Sequence, residues 1–191
     1  MPNFIGIYPK AFSDELCDDY VEWFKQKHKK FGTVNKQDGR DDVSIFAVNH
    51  GSAEELNNKA RAILKDKWEH YAKKWEIGGA AFEDLFMEDF KIQWSYPDGG
   101  FYSWHTEQGR GEYSSNRMGV FMVYLNTVNK GGKTEFKHYE LDVKPEKGTL
   151  IYWPASYTHR HRAAPDLKED KYILTGWLSY SRKKDRDGDN S

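Results

Sequence analysis

A single cysteine, Cys17, stands in a chain of 191 residues, so no internal disulfide can staple the fold. Its place in a helical pattern predicts a reducing, cytoplasmic setting. Long apolar runs are also missing. None approaches the roughly 20 residues that cross a bilayer, and the amino terminus lacks a charged-then-apolar leader pattern. No membrane partner is therefore expected. Charge of one sign is not in excess either: 29 basic and 30 acidic side chains leave a formal net charge of −1, too little to draw nucleic acid by its field. No internal repeat is present, and nothing in the sequence specifies an oligomeric state.

Aromatic residues, by contrast, are plentiful. They make up 16% of the chain, with 7 Trp, and flat rings pack well on pleated sheets, so the composition leans toward β structure. The length suits one domain with its own core.

Two helices are expected first. Ser13 can cap "DELCDDYVEWFKQK", which carries acidic residues in its first turn and Leu16, Tyr20 and Phe24 at helical spacing. Ser52 with Glu55 reads as a capping box, and Leu56, Ala60, Ile63, Leu64, Trp68, Tyr71 and Trp75 then trace one apolar stripe. From about Phe90 the period changes to short β-branched and aromatic runs: Phe90 to Tyr96, Met118 to Leu125, Thr149 to Trp153 and Tyr172 to Tyr180. Turn signals at Pro97 to Gly100, Asn129 to Gly132 and Pro145 to Gly148 separate them. The order predicts an α+β, mainly β fold, a jelly roll of about 89–182 backed by helical support over about 1–88. The tail 183–191 lacks apolar content and reads as disordered. Two Gly- and charge-rich stretches, Lys29 to Asp42 and Gln108 to Arg117, read as loops able to fold over an extended peptide.

Chemistry concentrates in "FYSWHTEQ", Phe101 to Gln108. In a strand, residues i and i+2 share a face, so His105 and Glu107 can address one point. With a second imidazole they form a facial triad that holds Fe(II) and leaves sites open. A solvated strand face carries such a pair just as well. The segment "PASYTHRHRAAP" offers two further histidines, His159 and His161, and the residues alone leave both open, as ligand or as solvated loop.

Four short segments together resemble the 2-oxoglutarate and Fe(II)-dependent oxygenases, in particular their prolyl 4-hydroxylase-like branch, with a double-stranded β-helix fold. "YPDGGFYSWHTE" resembles the segment bearing the first two ligands, "GGKTEF" the Gly-Gly-x-Thr-x-Phe turn, "VKPEKGTLIYW" the Pro-x-x-Gly strand, and "HRAAPDLKEDKYILTGW" the closing segment. The resemblance covers nearly the whole chain through Tyr180. It implies His161 as the distal ligand, because Pro165 and Lys171 fall at the family offsets only from there. His159 is then left to a substrate-facing or supporting place. The metal set implied is His105, Glu107 and His161. Glu107 departs from the family's usual Asp by one methylene, but remains a hard oxygen ligand.

The same resemblance implies Fe(II), 2-oxoglutarate and O2 as cofactor and cosubstrates, with ascorbate as an accessory. Lys171 would meet the far carboxylate of 2-oxoglutarate, helped by Tyr96 and Thr134. On the substrate side it places Tyr102, and His159 can join it there; Arg160 and Arg162, which flank the metal-bearing strand, are candidates to meet an acidic group on the substrate, and Trp177 a candidate wall of its site. It implies hydroxylation of a peptide or protein, most typically at the 4-position of proline. An oxygenase acting on a free amino acid or another side chain, and a non-catalytic binding module, are the competing readings. Nucleic-acid repair oxygenases fit less well, because they commonly use Arg where Lys171 stands.

Overall fold

The computed structural model describes residues 2–77 and 85–180. The tail expected to be disordered lies outside the described residues.

Helix α1 spans Asp14–Phe31, and the Ser13 hydroxyl accepts from the Leu16 N–H at 3.2 Å, as its N-cap pattern requires. Its buried face is Leu16, Cys17, Tyr20, Trp23 and Phe24. Helix α2 spans Glu54–Lys74, and the apolar stripe read from the sequence faces inward, with Ala60, Leu64 and Tyr71 fully buried. Its start differs from expectation. Two short 3-10 turns, Ala47–Asn49 and Gly51–Ala53, lead into the helix, and Ala53 occupies the cap position. The Ser52 hydroxyl instead accepts from Trp23 Nε1 at 3.1 Å, tying α2 to α1, while Glu55 pairs with Lys59 on the surface.

Eleven strands are described: β1 Gly6–Tyr8, β2 Thr33–Gln37, β3 Arg40–Phe46, β4 Leu85–Ser95, β5 Gly100–Phe101, β6 Arg117–Tyr124, β7 Thr134–Phe136, β8 Leu141–Val143, β9 Leu150–Pro154, β10 His161–Ala163 and β11 Lys171–Tyr180. The large antiparallel sheet runs β1-β9-β6-β11-β4-β3-β2, with β5 on β3, and a small sheet runs β10-β7-β8. This curled pair of sheets with helices outside is the double-stranded β-helix. The stretch expected to loop over a peptide, Lys29 to Asp42, is instead the end of α1 followed by most of a β2-β3 hairpin that widens the large sheet.

Alternation along the central strands separates two apolar layers. Phe121, Val123, Leu150, Tyr152 and Leu174 face the helices. Val120, Met122, Tyr124, Ile151, Trp153, Ile173 and Trp177 face the small sheet. Burial of each such side chain contributes about 1.5–3 kcal/mol relative to exposure, and buried tyrosines find acceptors: Tyr152 donates to Leu64 O at 2.7 Å and Tyr71 to Phe4 O at 2.6 Å, whereas the Trp153 indole N–H is buried without a partner. Between β11 and β4 the register shifts by one residue, a bulge on the β4 side where Asp89 takes φ of 58°. On the other side of the bulge, Lys91, Gln93 and Ser95 share the face that lines the cavity.

Candidate metal centre

The segment that follows β5 meets β10 of the small sheet through a pair of backbone hydrogen bonds. His105 N–H donates to His161 O at 3.1 Å and His161 N–H to His105 O at 3.0 Å, an isolated antiparallel bridge. The sequence reading put His105 and Glu107 on a regular strand. The chain here is irregular instead, and Glu107 is held by its N–H to Ala155 O at 3.2 Å.

From this scaffold the side chains converge. One ligand atom each of His105, Glu107 and His161 lies within 4.8 Å of the others. Glu107 Oε1 stands 3.6 Å from His105 Nε2 and 3.5 Å from His161 Nε2, too far for good hydrogen bonds. Atoms about 2.1 Å from a shared ion would stand roughly 3–3.5 Å apart, so the spacing fits ligands around a common centre. The imidazole tautomers agree. His105 Nδ1 lies 2.8 Å from Ser103 O and His161 Nδ1 lies 3.0 Å from His159 O. Each carbonyl calls for a donated Nδ1–H and leaves an Nε2 lone pair facing inward.

Glu107's extra methylene is absorbed by a second set of donors. Trp177 Nε1 donates to Oε2 at 2.9 Å, Arg117 Nη1 stands 3.6 Å from the same oxygen, and the Arg117 guanidinium stacks 3.4 Å from the Trp177 ring centroid. Burial opposes the Glu107 charge, but the two imidazoles outweigh it and hold the carboxyl well below its ordinary range. Burial also pushes His105 down, keeping it neutral, and Phe101 stacks on it at 3.6 Å. Neutral imidazoles and an ionised carboxylate are the protonation states that ligate a divalent ion. Replacing Trp177 with Phe should remove a donor that orients the carboxylate and weaken Fe(II) affinity about 10- to 100-fold, read by metal titration.

The triad opens into a cavity of about 400 Å³. Lys171 lines it and is only 5% exposed. Its ammonium donates to Gly132 O at 2.6 Å and sits 5.4 Å from the Tyr124 ring centroid. Gly131 and Gly132 both take positive φ. A Cβ on Gly131 would stand 2.1 Å from Asp166 O, so this turn accepts no side chain there. Burial lowers the Lys171 pKa to about 8, Asp166 opposing. Thr134 lines the same end and accepts from the Tyr124 hydroxyl at 2.7 Å.

Other expected site residues fall elsewhere. The Tyr96 hydroxyl donates to Asp41 of β3, and the residue is not among those lining the cavity; its motif position was readable, its partner across the sheet was not. Tyr102 is likewise outside the lining, its N–H bonded to Gly39 O at 3.0 Å. His159 is 3% exposed, outside the lining, and bonds through Nε2 to Asn3 O at 2.7 Å and through Nδ1 to Thr158 Oγ1 at 2.9 Å, contacts that tie it into the fold. Arg160 donates to Trp104 O at 2.9 Å, outside the lining. Arg162 does line the cavity, paired with Glu135 at 2.7 Å and stacked on Trp104. Trp177 lines it too, acting on the ligand carboxylate. Sequence reasoning missed Lys91, Gln93, Arg117 and Tyr124, all on strands whose inward face only the register reveals.

Residues 93–179 match the model of the 2OG-Fe(II) oxygenase superfamily. That segment carries His105, Glu107, His161 and Lys171. Over 99 residues the chain is 30% identical to prolyl 4-hydroxylase subunit alpha-1 of Gallus gallus and 29% to that of Homo sapiens. Each match covers 44% of this chain, and 19% and 18% of the respective relative, so the chain spans less than a fifth of those proteins.

Solved structures match the fold more broadly. A viral collagen prolyl hydroxylase from Paramecium Bursaria Chlorella virus-1, in complex with 2OG, has a TM-score of 0.69 at 18% identity, covering 93% of this chain and 97% of that one. A Pseudomonas putida prolyl-4-hydroxylase gives 0.69 at 19%, covering 94% of each. A Trichoplax adhaerens prolyl hydroxylase, solved with a hypoxia inducible factor peptide fragment, gives 0.72 at 12%, covering 98% and 88%.

Proposed function

We propose that this protein is a 2-oxoglutarate- and Fe(II)-dependent dioxygenase that hydroxylates a peptidyl residue, with proline at its 4-position the leading target. The observation that carries the reading is one cavity holding both the convergent His105, Glu107 and His161 and the buried cation of Lys171. The likeness to prolyl hydroxylases, one of them solved with a peptide, supports the substrate class.

His105, Glu107 and His161 would hold the iron, with Ser103 O and His159 O fixing the imidazoles and Trp177 fixing the carboxylate. Bound there, Fe(II) with 2-oxoglutarate and dioxygen supplies the oxidation: one oxygen atom enters a substrate C–H bond, the other enters succinate, and carbon dioxide leaves. Lys171 receives the far carboxylate of 2-oxoglutarate, a charge-assisted contact in a water-poor pocket. Phe101, Met122, Ile173 and Trp177 give the cavity apolar walls that keep water from the reacting end. Ser44, Gln93 and Asn35 add side-chain donors and acceptors suited to a peptide backbone. A reducing, cytoplasmic setting is part of the proposal, supported by the buried lone thiol of Cys17, which burial raises to about 12.

The test supplies the protein with Fe(II), 2-oxoglutarate, oxygen and proline-containing peptides, following succinate and product mass. Peptide-stimulated succinate release and a product one oxygen heavier at proline are expected. Turnover of 2-oxoglutarate with only a free amino acid, or with a modified residue other than proline, would reject the prolyl assignment. No turnover with any of these would favour a binding module.

A further inference from the structure

The cavity lining is rich in cations, and nearly all of them are accounted for. Arg40 makes a bidentate pair with the fully buried Asp42, at 2.7 and 3.2 Å. Arg117 serves Glu107, and Arg162 pairs with Glu135. Lys171 awaits the far carboxylate of 2-oxoglutarate. Lys91 is left over. It lines the cavity, yet its ammonium makes neither a hydrogen bond nor an ion pair with any described residue; its nearest recorded partner is the face of Trp177, 5.3 Å to the ring centroid.

Register places it well away from Lys171. Lys91 lies opposite Thr175 on β11 and Phe46 on β3, whereas Lys171 lies opposite Ser95. Four residues of strand separate the two positions, roughly 13 Å. One 2-oxoglutarate engaged with both the triad and Lys171 therefore leaves Lys91 without a counter-charge. Regular alternation from Ser95 through Gln93 carries Lys91 onto the cavity face, and the register shift begins only beyond it, toward Glu88. Burial pulls the lysine's pKa down, with Glu107 opposing, in keeping with a charge that lacks a close partner. A half-buried cation without a close counter-ion carries a desolvation cost, and an anionic ligand would relieve it.

We infer that Lys91 is a specificity-determining residue that receives a carboxylate of the substrate. The inference rests on the oxygenase reading and deepens it. Trp177 links the two places: its edge holds the Glu107 carboxylate and its face carries the Lys91 ammonium. The substrate anion thus sits about one indole ring from the ligand carboxylate. An extended peptide spans that gap in about two or three residues at ~3.3–3.6 Å each. The carboxylate can belong to a Glu or Asp side chain near the hydroxylated residue, or to the α-carboxylate of a small amino acid.

The experiment compares wild type, Lys91→Met and Lys91→Arg on peptides that place glutamate one, two or three residues to either side of proline, on their glutamine counterparts, and on free L-proline. Binding of labelled peptide to the metal-free protein is read by fluorescence anisotropy, and KM and kcat by succinate release; circular dichroism checks folding. A charge-assisted contact predicts a preference for glutamate over glutamine of roughly tenfold or more in wild type, carried mainly in KM. Lys91→Met should erase that preference, and Lys91→Arg should keep most of it. If free L-proline shows the lysine-dependent binding and the peptides do not, the carboxylate is the α-carboxylate. No preference in wild type, or one that survives Lys91→Met, overturns the inference. Lys91-dependent binding of the acidic ligand without any succinate release would reject the oxygenase reading and leave the anion site standing.

Discussion

His161→Ala is expected to lose Fe(II) binding and to cut succinate release by at least about a hundredfold, with the fold retained. His161 contributes the Nε2 ligand atom, but its backbone carries the bridge to His105, and alanine keeps that bridge. Two remaining ligands hold a divalent ion far more weakly than three. His159→Ala is the informative control. Its ring is buried and bonded to Asn3 O and Thr158, so its loss should lower thermal stability by about 1–3 kcal/mol while iron stoichiometry persists. Iron titration and a melting curve on both variants separate the roles. Metal loss in the His159 variant with retention in the His161 variant would refute the assignment of the ligand.

Lys171→Met should abolish saturable 2-oxoglutarate binding and, in the cosubstrate-free protein, raise stability. The sign follows from linkage. The folded-state pKa, about 8, lies below the ordinary lysine value of 10.5, so between those values the unfolded chain binds more protons and stability climbs with pH. Below pH 8 the buried ammonium costs the fold on the order of 3 kcal/mol, less the bond it gives Gly132 O. Removing it at pH 7 should therefore stabilise by about 1–3 kcal/mol, a gain that disappears above about pH 10.5. Binding runs the other way: 2-oxoglutarate needs the ammonium, so wild-type affinity should decline as pH rises past about 8. Calorimetric titration and urea melts from pH 6.5 to 10 test both halves. Undiminished affinity in Lys171→Met would place the far carboxylate elsewhere.

Legibility in the sequence followed how each segment is buried. The inward strands β4, β6, β9 and β11 carry long apolar and aromatic runs and were readable, as was the spacing of His105, Glu107 and His161 once the resemblance set the register. The β2-β3 hairpin was not. Its inward face lines a polar cavity with Thr33, Asn35 and Ser44 and buries the Arg40–Asp42 pair, so the apolar alternation that marks a half-buried strand is missing. The same cause hid the partner of Tyr96, since Asp41 belongs to that hairpin. At α2 the capping pattern was present, but two 3-10 turns displaced it and the Ser52 hydroxyl bonded across to Trp23. For His159, the sequence supplied an imidazole near the ligand without its burial.

The bridge between His105 and His161 also sets an order of events in the life of the chain. These two residues come from opposite ends of a long intervening segment that includes β6, β7, β8 and β9, and their backbones pair only once the segment after β5 has been brought onto β10 of the small sheet. Contacts of such sequence separation form late, because the loop-closure entropy is met before they return anything. A metal would therefore find no half-built pocket to enter on a nascent chain. A metal held by these residues would arrive at a finished site, in a molecule that has already folded.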